Sequence, residues 1–143
     1  MDAINDIARP GTRWTAVFLR ATVVLLTLTT AAVHASLGGF LFTMNALGYA
    51  AFAVAMVLPG PFGRIRWLVR VALIGFTLAT IGGWVLFGAR FPLAYVDKGV
   101  EVALVVFLAI ELWLFDGGPF GIARRTRRLA SAFAATVATR GAR

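Results

Sequence analysis

The chain has 143 residues, 60% of which are apolar, and its formal net charge is +8. This composition leaves too little polar surface to cover a soluble domain of this length, so the sequence predicts a membrane protein. The absence of cysteine excludes disulfides, thiolate metal sites and thiol redox chemistry, and a single histidine, His34, excludes a haem held between two histidines of one chain.

Four apolar stretches of about twenty residues dominate the sequence, at positions 14–33, 37–58, 67–87 and 95–115. A helix rises about 1.5 Å per residue, so each stretch is long enough to cross a hydrocarbon core of about 30 Å. The connections between the stretches are short, which favours one compact unit. The sequence therefore predicts an all-α integral membrane protein, with a four-helix transmembrane bundle over residues 1–116 and a basic tail over residues 117–143.

Basic residues flank the predicted spans unevenly. One side carries Arg9, Arg13, Arg20, Arg64, Arg66, Arg70 and the arginines of the tail, whereas the opposite side carries only Arg90 and Lys98. Because positively charged loops stay in the cytoplasm, we expect both termini to be cytoplasmic and the protein to lie in a plasma membrane or a bacterial-type inner membrane. Membrane topology and anionic lipid explain the basic residues, so no nucleic-acid partner is expected.

The tail combines a basic run with regularly spaced apolar residues. Its arginines are Arg124, Arg125, Arg127 and Arg128, and its apolar residues Ile122, Leu129, Phe133 and Val137 recur near helical spacing. This pattern is typical of an amphipathic helix on the inner leaflet, with the arginines at the lipid phosphates. A partly disordered basic tail is the alternative, because alanine and threonine dominate the last fifteen residues.

Small residues let helices approach closely in a membrane, where packing replaces the hydrophobic effect. The second span carries Gly39, Thr43, Ala46, Ala50 and Ala53 on one face, and the third carries Ala72, Gly75, Ala79 and Gly83. These stripes predict that spans two and three pack closely. The alternative is that they reflect only the high alanine content of the chain.

Two charged residues lie at a similar depth in the inner half of the predicted bundle. Arg20 is about 9 Å from the start of span one, and Glu111 is about 6 Å from the end of span four. A charge within a span costs a few kcal/mol unless it faces a partner or water. We therefore expect an intramembrane ion pair between Arg20 and Glu111, with Arg70 close by.

A second polar group is expected in the outer half. Its members are the residues that close span one, lie inside span two or open span four: His34, Asn45, Tyr49, Asp97, Lys98 and Glu101. Helical periodicity places these side chains on faces that could converge into one pocket. They are our candidates for a ligand or proton site.

Glu101 has two interpretations. Lys98 lies three residues before it, so the two can form a static ion pair. Alternatively, Glu101 changes its protonation state and serves a coupled carrier. No metal site is expected, because His34, Asp97 and Glu101 lack a specific ligand spacing, and no cofactor is assigned, although a pigment, a quinone or a haem with one axial ligand stays open.

Three functional hypotheses follow. The first is a non-catalytic accessory or structural subunit of a larger membrane complex, or a binder of a lipid-soluble ligand, with membrane lipid and other transmembrane subunits or copies of itself as partners. The second is a small oligomeric carrier coupled to protons through Glu101. The third, and least favoured, is a membrane enzyme that acts on lipid at the level of His34 and Glu101. No residue is assigned a catalytic role.

Overall fold

The computed structural model describes residues 10–59 and 61–141, and every regular element in these ranges is an α-helix. In chain order the helices are α1 (Pro10–Leu37), α2 (Phe40–Val57), α3 (Pro61–Phe87), α4 (Pro92–Asp116) and α5 (Gly118–Gly141). The predicted all-helical class is confirmed. The predicted basic tail forms helix α5 from residue 118 to residue 141.

Three segments are long and apolar enough to cross a membrane: Arg13–Leu37, Phe40–Val57 and Ile65–Phe87. They correspond to the first three predicted spans. Helix α4, at 25 residues, is also long enough, but it carries five charged side chains, namely Asp97, Lys98, Glu101, Glu111 and Asp116. It therefore differs from the three candidate spans in charge and not in length.

Glycine and proline set the ends of the helices. Gly38 and Gly39 separate α1 from α2 with φ angles of 69° and 83°. Gly117 separates α4 from α5 with a φ angle of 76°, and Gly118, the first residue of α5, has a φ angle of 61°. Positive φ is unfavourable for a residue with a Cβ atom, so these sharp reversals need glycine. Pro92 lies in the first turn of α4, where its missing N–H breaks no helical hydrogen bond.

Helix α1 packs against α2 and α4, and α3 packs against the same two helices, whereas α5 contacts α4. The side chains between α1, α2, α3 and α4 form a narrow apolar core of Val23, Ala31, Tyr49, Met56, Leu73, Leu104 and Leu108. Large apolar side chains on the outer faces of the helices remain exposed. The core therefore separates the two halves of the structure, each of which contains buried charged side chains.

Helices α2 and α3 contact each other as predicted, but the small-residue stripe predicted on span three does not form the contact. Ala72, Gly75, Ala79 and Gly83 are all exposed, and a Cβ atom added to Gly75 or Gly83 would meet no atom within 4 Å. The contact between α2 and α3 instead uses Gly48, where an added Cβ would lie 2.6 Å from the Cζ of Phe76. The most extensive contact of α2 is with α1. Alanine and glycine on α3 are thus no sign of a helix contact here.

Candidate functional site

Helices α1 to α4 each contribute polar side chains to one group at the end of the structure where α1 ends and α4 begins. We call His34, Asp97, Lys98 and Glu101 the outer cluster; the hydroxyls of Thr30, Tyr49 and Thr80 surround it. On α4, Asp97 and Glu101 are one helical turn apart and face the same way. Thr30 and His34 repeat this spacing on α1. The periodicity of two helices therefore brings an imidazole to two carboxylates.

Glu101 is fully buried and bonded at both carboxylate oxygens. The hydroxyls of Tyr49 and Thr80 donate to Oε1 at 2.9 Å and 3.0 Å, and Nζ of Lys98 donates to Oε2 at 2.6 Å. A buried carboxylate is costly unless it is paired and hydrogen-bonded, and Glu101 has both kinds of partner. The three-residue spacing to Lys98 thus produces the local ion pair that the sequence suggested.

Asp97 and His34 form the other half of the outer cluster. Asp97 accepts from the Thr30 hydroxyl at 2.8 Å through Oδ1, and its Oδ2 lies 3.1 Å from Nζ of Lys98. His34 donates from Nδ1 to the backbone carbonyl of Thr30 at 2.9 Å. Its Nδ1 is 3.7 Å from Oδ2 of Asp97, and its Nε2 is 3.8 Å from Oε1 of Glu101. The imidazole therefore lies between the two carboxylates.

A pocket of about 440 Å³ opens beside the outer cluster. Its polar lining consists of His34, Asn45, Thr80, Asp97 and Lys98, and its apolar lining includes the rings of Phe42, Phe76, Trp84, Phe87 and Phe91. Gly88 and Ala89, from the connection between α3 and α4, also line it. The pocket is largely apolar with a polar end, as small-molecule sites are.

The connection over the pocket is held by its own side chains. Nε1 of Trp84 donates to the carbonyl of Ala89 at 3.1 Å, and the Arg90 guanidinium lies 4.0 Å from the centroid of the Trp84 ring. Arg90 also donates to the carbonyl of Val85 at 2.8 Å. These contacts fix Trp84 as one wall of the pocket.

The structure brings together most of the outer residues proposed from the sequence. His34, Asp97, Lys98 and Glu101 form the cluster, Tyr49 bonds to it, and Asn45 lines the pocket beside it. Thr30 and Thr80 were not proposed. Thr30 could have been found from its position one turn before His34, whereas Thr80 lies on an uncharged part of α3 and has no comparable signal.

A second group of charges lies where α1 begins and α4 ends, and we call it the inner cluster: buried Arg70, Glu111 and Asp116, with half-buried Arg20 and Arg66. Arg70 donates to Glu111 at 2.6 Å and to Asp116 at 2.7 Å. Arg66 donates to the carbonyl of Leu58 at the end of α2, at 3.2 Å. Arg125 on α5 reaches the other oxygen of Asp116 at 3.0 Å. Arg70 thus joins α3 to α4, and Arg125 joins α5 to α4.

The expected ion pair between Arg20 and Glu111 is replaced by one between Arg70 and Glu111. Arg20 is close enough for the charges of Glu111, Arg66 and Arg70 to act on it, but its Nε has no hydrogen-bond partner in the structure. Both α1 and α3 pack against α4, so depth alone does not decide which arginine faces Glu111. Asp116, which was not considered, adds a second carboxylate for Arg70.

The arginines of the tail lie on α5. Arg124, Arg125, Arg127 and Arg128 are all exposed, and Arg125 is the one that pairs with Asp116. Phe120 and Leu129 on the same helix are also exposed. Helix α5 therefore presents both basic and apolar side chains to its surroundings.

His34, Asp97 and Glu101 each offer one ligand-type atom within 4.8 Å of one another, and all three residues are buried. The ammonium of Lys98, however, already bonds to both carboxylates. A metal ion would have to displace that ammonium group before it could use the carboxylates. We therefore assign no metal-ligand role to these residues.

Comparison with protein-family models, with curated proteins and with solved structures finds no match for this chain.

Proposed function

We propose that the chain is a four-span membrane protein that binds a lipid-soluble ligand in the outer pocket, and that it acts without catalysis. The observation that carries this proposal is the pocket itself, whose aromatic walls end at a buried charged cluster. An apolar cavity with a few convergent polar groups suits a small amphipathic molecule. The ligand's polar end would contact His34, Asp97 or Asn45, and its apolar body would lie against the rings.

The burial of its charges supports α4 as the fourth span. Asp97, Glu101, Glu111 and Asp116 are at most 7% exposed, and Lys98 lies against two of them. The exposed side chains of α4 are mainly apolar and include Tyr95, Val96, Val102, Val106, Ile110, Trp113 and Leu114. Charged side chains in a span face protein or water, and the lipid-facing surface stays apolar. Helix α4 meets both conditions.

The distribution of arginine supports cytoplasmic termini. The inner cluster and the arginines of α5 lie at the end of the helices where α1 begins and α4 ends. The outer cluster and the pocket would then face the extracytoplasmic side. In this arrangement α5 lies along the inner leaflet, with Phe120 and Leu129 dipping into it and Arg124, Arg127 and Arg128 near lipid phosphates. A bacterial-type inner membrane or a plasma membrane fits this orientation.

The test is whether filling the pocket removes a bound molecule. Gly83 lines the pocket, and a Cβ atom added to it meets no atom within 4 Å, so we expect Gly83→Leu to occupy part of the pocket. Gly75→Leu is the matched control, because Gly75 lies on the same helix, also faces open space and does not line the pocket. Both variants and the wild-type chain are purified from native membranes in a gentle detergent and measured by native mass spectrometry.

We expect the wild-type chain and Gly75→Leu to retain a small molecule that Gly83→Leu lacks. Equal retention in all three proteins would contradict a ligand in this pocket. Companion polypeptides at fixed stoichiometry, with no small molecule, would instead favour the accessory-subunit hypothesis. The folded state of each variant is checked by its thermal unfolding in the same detergent.

The charge of the outer cluster favours a second candidate function, a small oligomeric carrier coupled to protons. The cluster contains two carboxylates and one ammonium group. A buried uncompensated charge attracts a proton or a cation, which is what a coupled carrier uses. Proton-driven flux in proteoliposomes that is lost in Glu101→Gln would support this candidate, and ligand binding without flux would contradict it.

A further inference from the structure

The inner cluster has more arginines than carboxylates, and one arginine takes both carboxylates. Arg70 bonds to Glu111 at 2.6 Å and to Asp116 at 2.7 Å. Arg66 bonds only to an uncharged backbone carbonyl at the end of α2. Arg20 has no hydrogen bond or ion pair with any residue that the structure describes. Two arginines of this cluster are therefore left without an anion of their own.

The same two arginines also lack hydrogen-bond acceptors. The Nε groups of Arg20 and Arg66 are buried, and neither has a partner in the described part of the chain. A buried donor on a charged group is costly unless an acceptor meets it. The charges of Arg66 and Arg70 act on Arg20, so these like charges repel one another. One anion between Arg20 and Arg66 would supply acceptors and remove the repulsion.

We infer that Arg20 and Arg66 together bind a phosphate group at the inner end of the structure. A guanidinium group donates several N–H groups to phosphate oxygens, and one phosphate has enough oxygens to accept from two arginines on different helices. The headgroup of an anionic phospholipid and soluble phosphate share this chemistry. The site is separate from the outer pocket and requires no ligand there.

The positions of the two arginines suit a phosphate at the membrane surface. Arg66 is the second residue of the candidate span Ile65–Phe87, and Arg20 lies about two helical turns inside Arg13–Leu37. Side chains tilt toward the N-terminus of their helix, and α1 and α3 both begin at the inner end. Long arginine side chains in a span extend toward the membrane surface in this way.

Glu111 is the alternative partner for Arg20 within the protein. Its charge acts on Arg20, and its Oε1 is buried without a hydrogen-bond partner in the described residues. Its ion pair, however, is with Arg70. A further bond from Arg20 would therefore share a negative charge that Arg70 already neutralises. A phosphate group supplies both a new negative charge and new acceptors.

The experiment uses the full chain, washed free of lipid in a neutral detergent. It is titrated with phosphatidylglycerol or with phosphatidylcholine, and native mass spectrometry gives the affinity for each lipid. Inorganic phosphate is the third probe, and its effect on thermal unfolding is compared with that of chloride at equal ionic strength. Arg20→Gln and Arg66→Gln are the test variants. Arg13→Gln is the matched control, because Arg13 is an exposed arginine on α1 and its loss changes the net charge equally.

We expect the wild-type chain to bind phosphatidylglycerol more tightly than phosphatidylcholine. Each test variant should lose about tenfold in affinity for phosphatidylglycerol, because it loses hydrogen bonds between charged groups. The loss in Arg13→Gln should be less than about threefold, since water screens an exposed charge. Without lipid, Arg20→Gln should unfold at no lower temperature than the wild-type chain, because Arg20 has no bond to lose within the described residues.

Inorganic phosphate distinguishes the two sources of the phosphate group. Stabilisation of the wild-type chain by phosphate, absent in Arg20→Gln and accompanied by displacement of phosphatidylglycerol, would show a site open to soluble phosphate. Binding of phosphatidylglycerol that inorganic phosphate does not displace would show a lipid headgroup site. Both results support a phosphate group between Arg20 and Arg66.

Three other results would overturn the inference. Equal binding of the two lipids, with no effect of inorganic phosphate, would reject the site. Equal losses of affinity in Arg13→Gln and Arg20→Gln would show that phosphatidylglycerol follows the general positive charge of the chain. A lower unfolding temperature of lipid-free Arg20→Gln would show that Arg20 has its partner within the protein, at Glu111.

Discussion

The outer and inner clusters lie at opposite ends of the same helices, and they differ in the kind of bond that joins one helix to another. In the outer cluster Lys98 bonds to Asp97 and Glu101 on its own helix, and the other helices reach these carboxylates through the hydroxyls of Thr30, Tyr49 and Thr80. In the inner cluster Arg70 reaches from α3 to α4 and Arg125 from α5 to α4. The inner cluster therefore joins helices through arginine–carboxylate ion pairs, whereas the outer cluster joins them through hydroxyl hydrogen bonds and lies beside a pocket.

The two clusters also differ in the sign of their net charge. The outer cluster has two carboxylates and one ammonium group, and the inner cluster has three arginines and two carboxylates, Glu111 and Asp116. With a neutral His34 the remaining charge is negative in the outer cluster and positive in the inner cluster.

The largest loss of stability is expected when Arg70 is replaced. Arg70→Met leaves Glu111 and the buried oxygen of Asp116 without their shared partner, and removing one member of a buried ion pair costs about 3–5 kcal/mol. We expect the midpoint of denaturant unfolding in detergent to fall accordingly. Arg127→Gln, an exposed change on α5, is the control and should stay within about 0.5 kcal/mol. Equal stability of the two variants would show that the inner cluster does not hold the helices together.

The next largest loss of stability is expected at the junction between α4 and α5. A Cβ atom added to Gly121 would collide with the backbone carbonyl oxygen of Asp116, so Gly121→Ala must shift the backbone beside the inner cluster. We expect a cost of about 1–3 kcal/mol in the free energy of unfolding, as for other overpacking changes. Gly99→Ala on α4 is the control, because its added Cβ meets no atom within 4 Å. If both variants were equally stable, the junction would not be as tight as described.

A smaller effect is expected in the outer half. Tyr49→Phe removes one donor to Oε1 of Glu101 but leaves Thr80 and Lys98 in place, so the expected loss is about 1 kcal/mol. Tyr95→Phe, on the exposed face of α4, should change the stability by less than about 0.5 kcal/mol. Thermal unfolding of the two variants in the same detergent measures the difference. A loss as large as that of Arg70→Met would remove the contrast between the two clusters.

The sequence was a good guide to the helices and to the residues that belong together on one face. Apolar length located three candidate spans to within a few residues, and the helical period grouped Asp97 with Glu101 and placed Lys98 beside them. Both properties depend on residues close together in the chain, so they can be deduced without knowing which helices are neighbours.

Contacts between helices could not be deduced in the same way. Arg20 and Arg70 were both expected near Glu111, and the choice between them depends on how α1 and α3 are rotated against α4. The small residues of α3 gave the wrong residues for the contact between α2 and α3, because alanine and glycine on a helix facing outward follow the same spacing as on a packed face. Thr80 was missed because a threonine in an apolar helix has no distinctive signal until its partner on α4 is known.

The smallest loss of stability is expected for a change at Arg125, which tests how far the inner cluster extends toward α5. Arg125 is 43% exposed at its side chain, and an exposed ion pair contributes at most about 1 kcal/mol because water and salt screen it. Arg125→Gln should therefore lower the stability by less than about 1 kcal/mol at low salt, and the difference from the wild-type chain should shrink as salt is added. The effect of Arg70→Met should persist at high salt, since the charges it uncovers are buried. A salt-independent loss in Arg125→Gln would place Arg125 in the buried part of the cluster and make α5 an integral part of the fold.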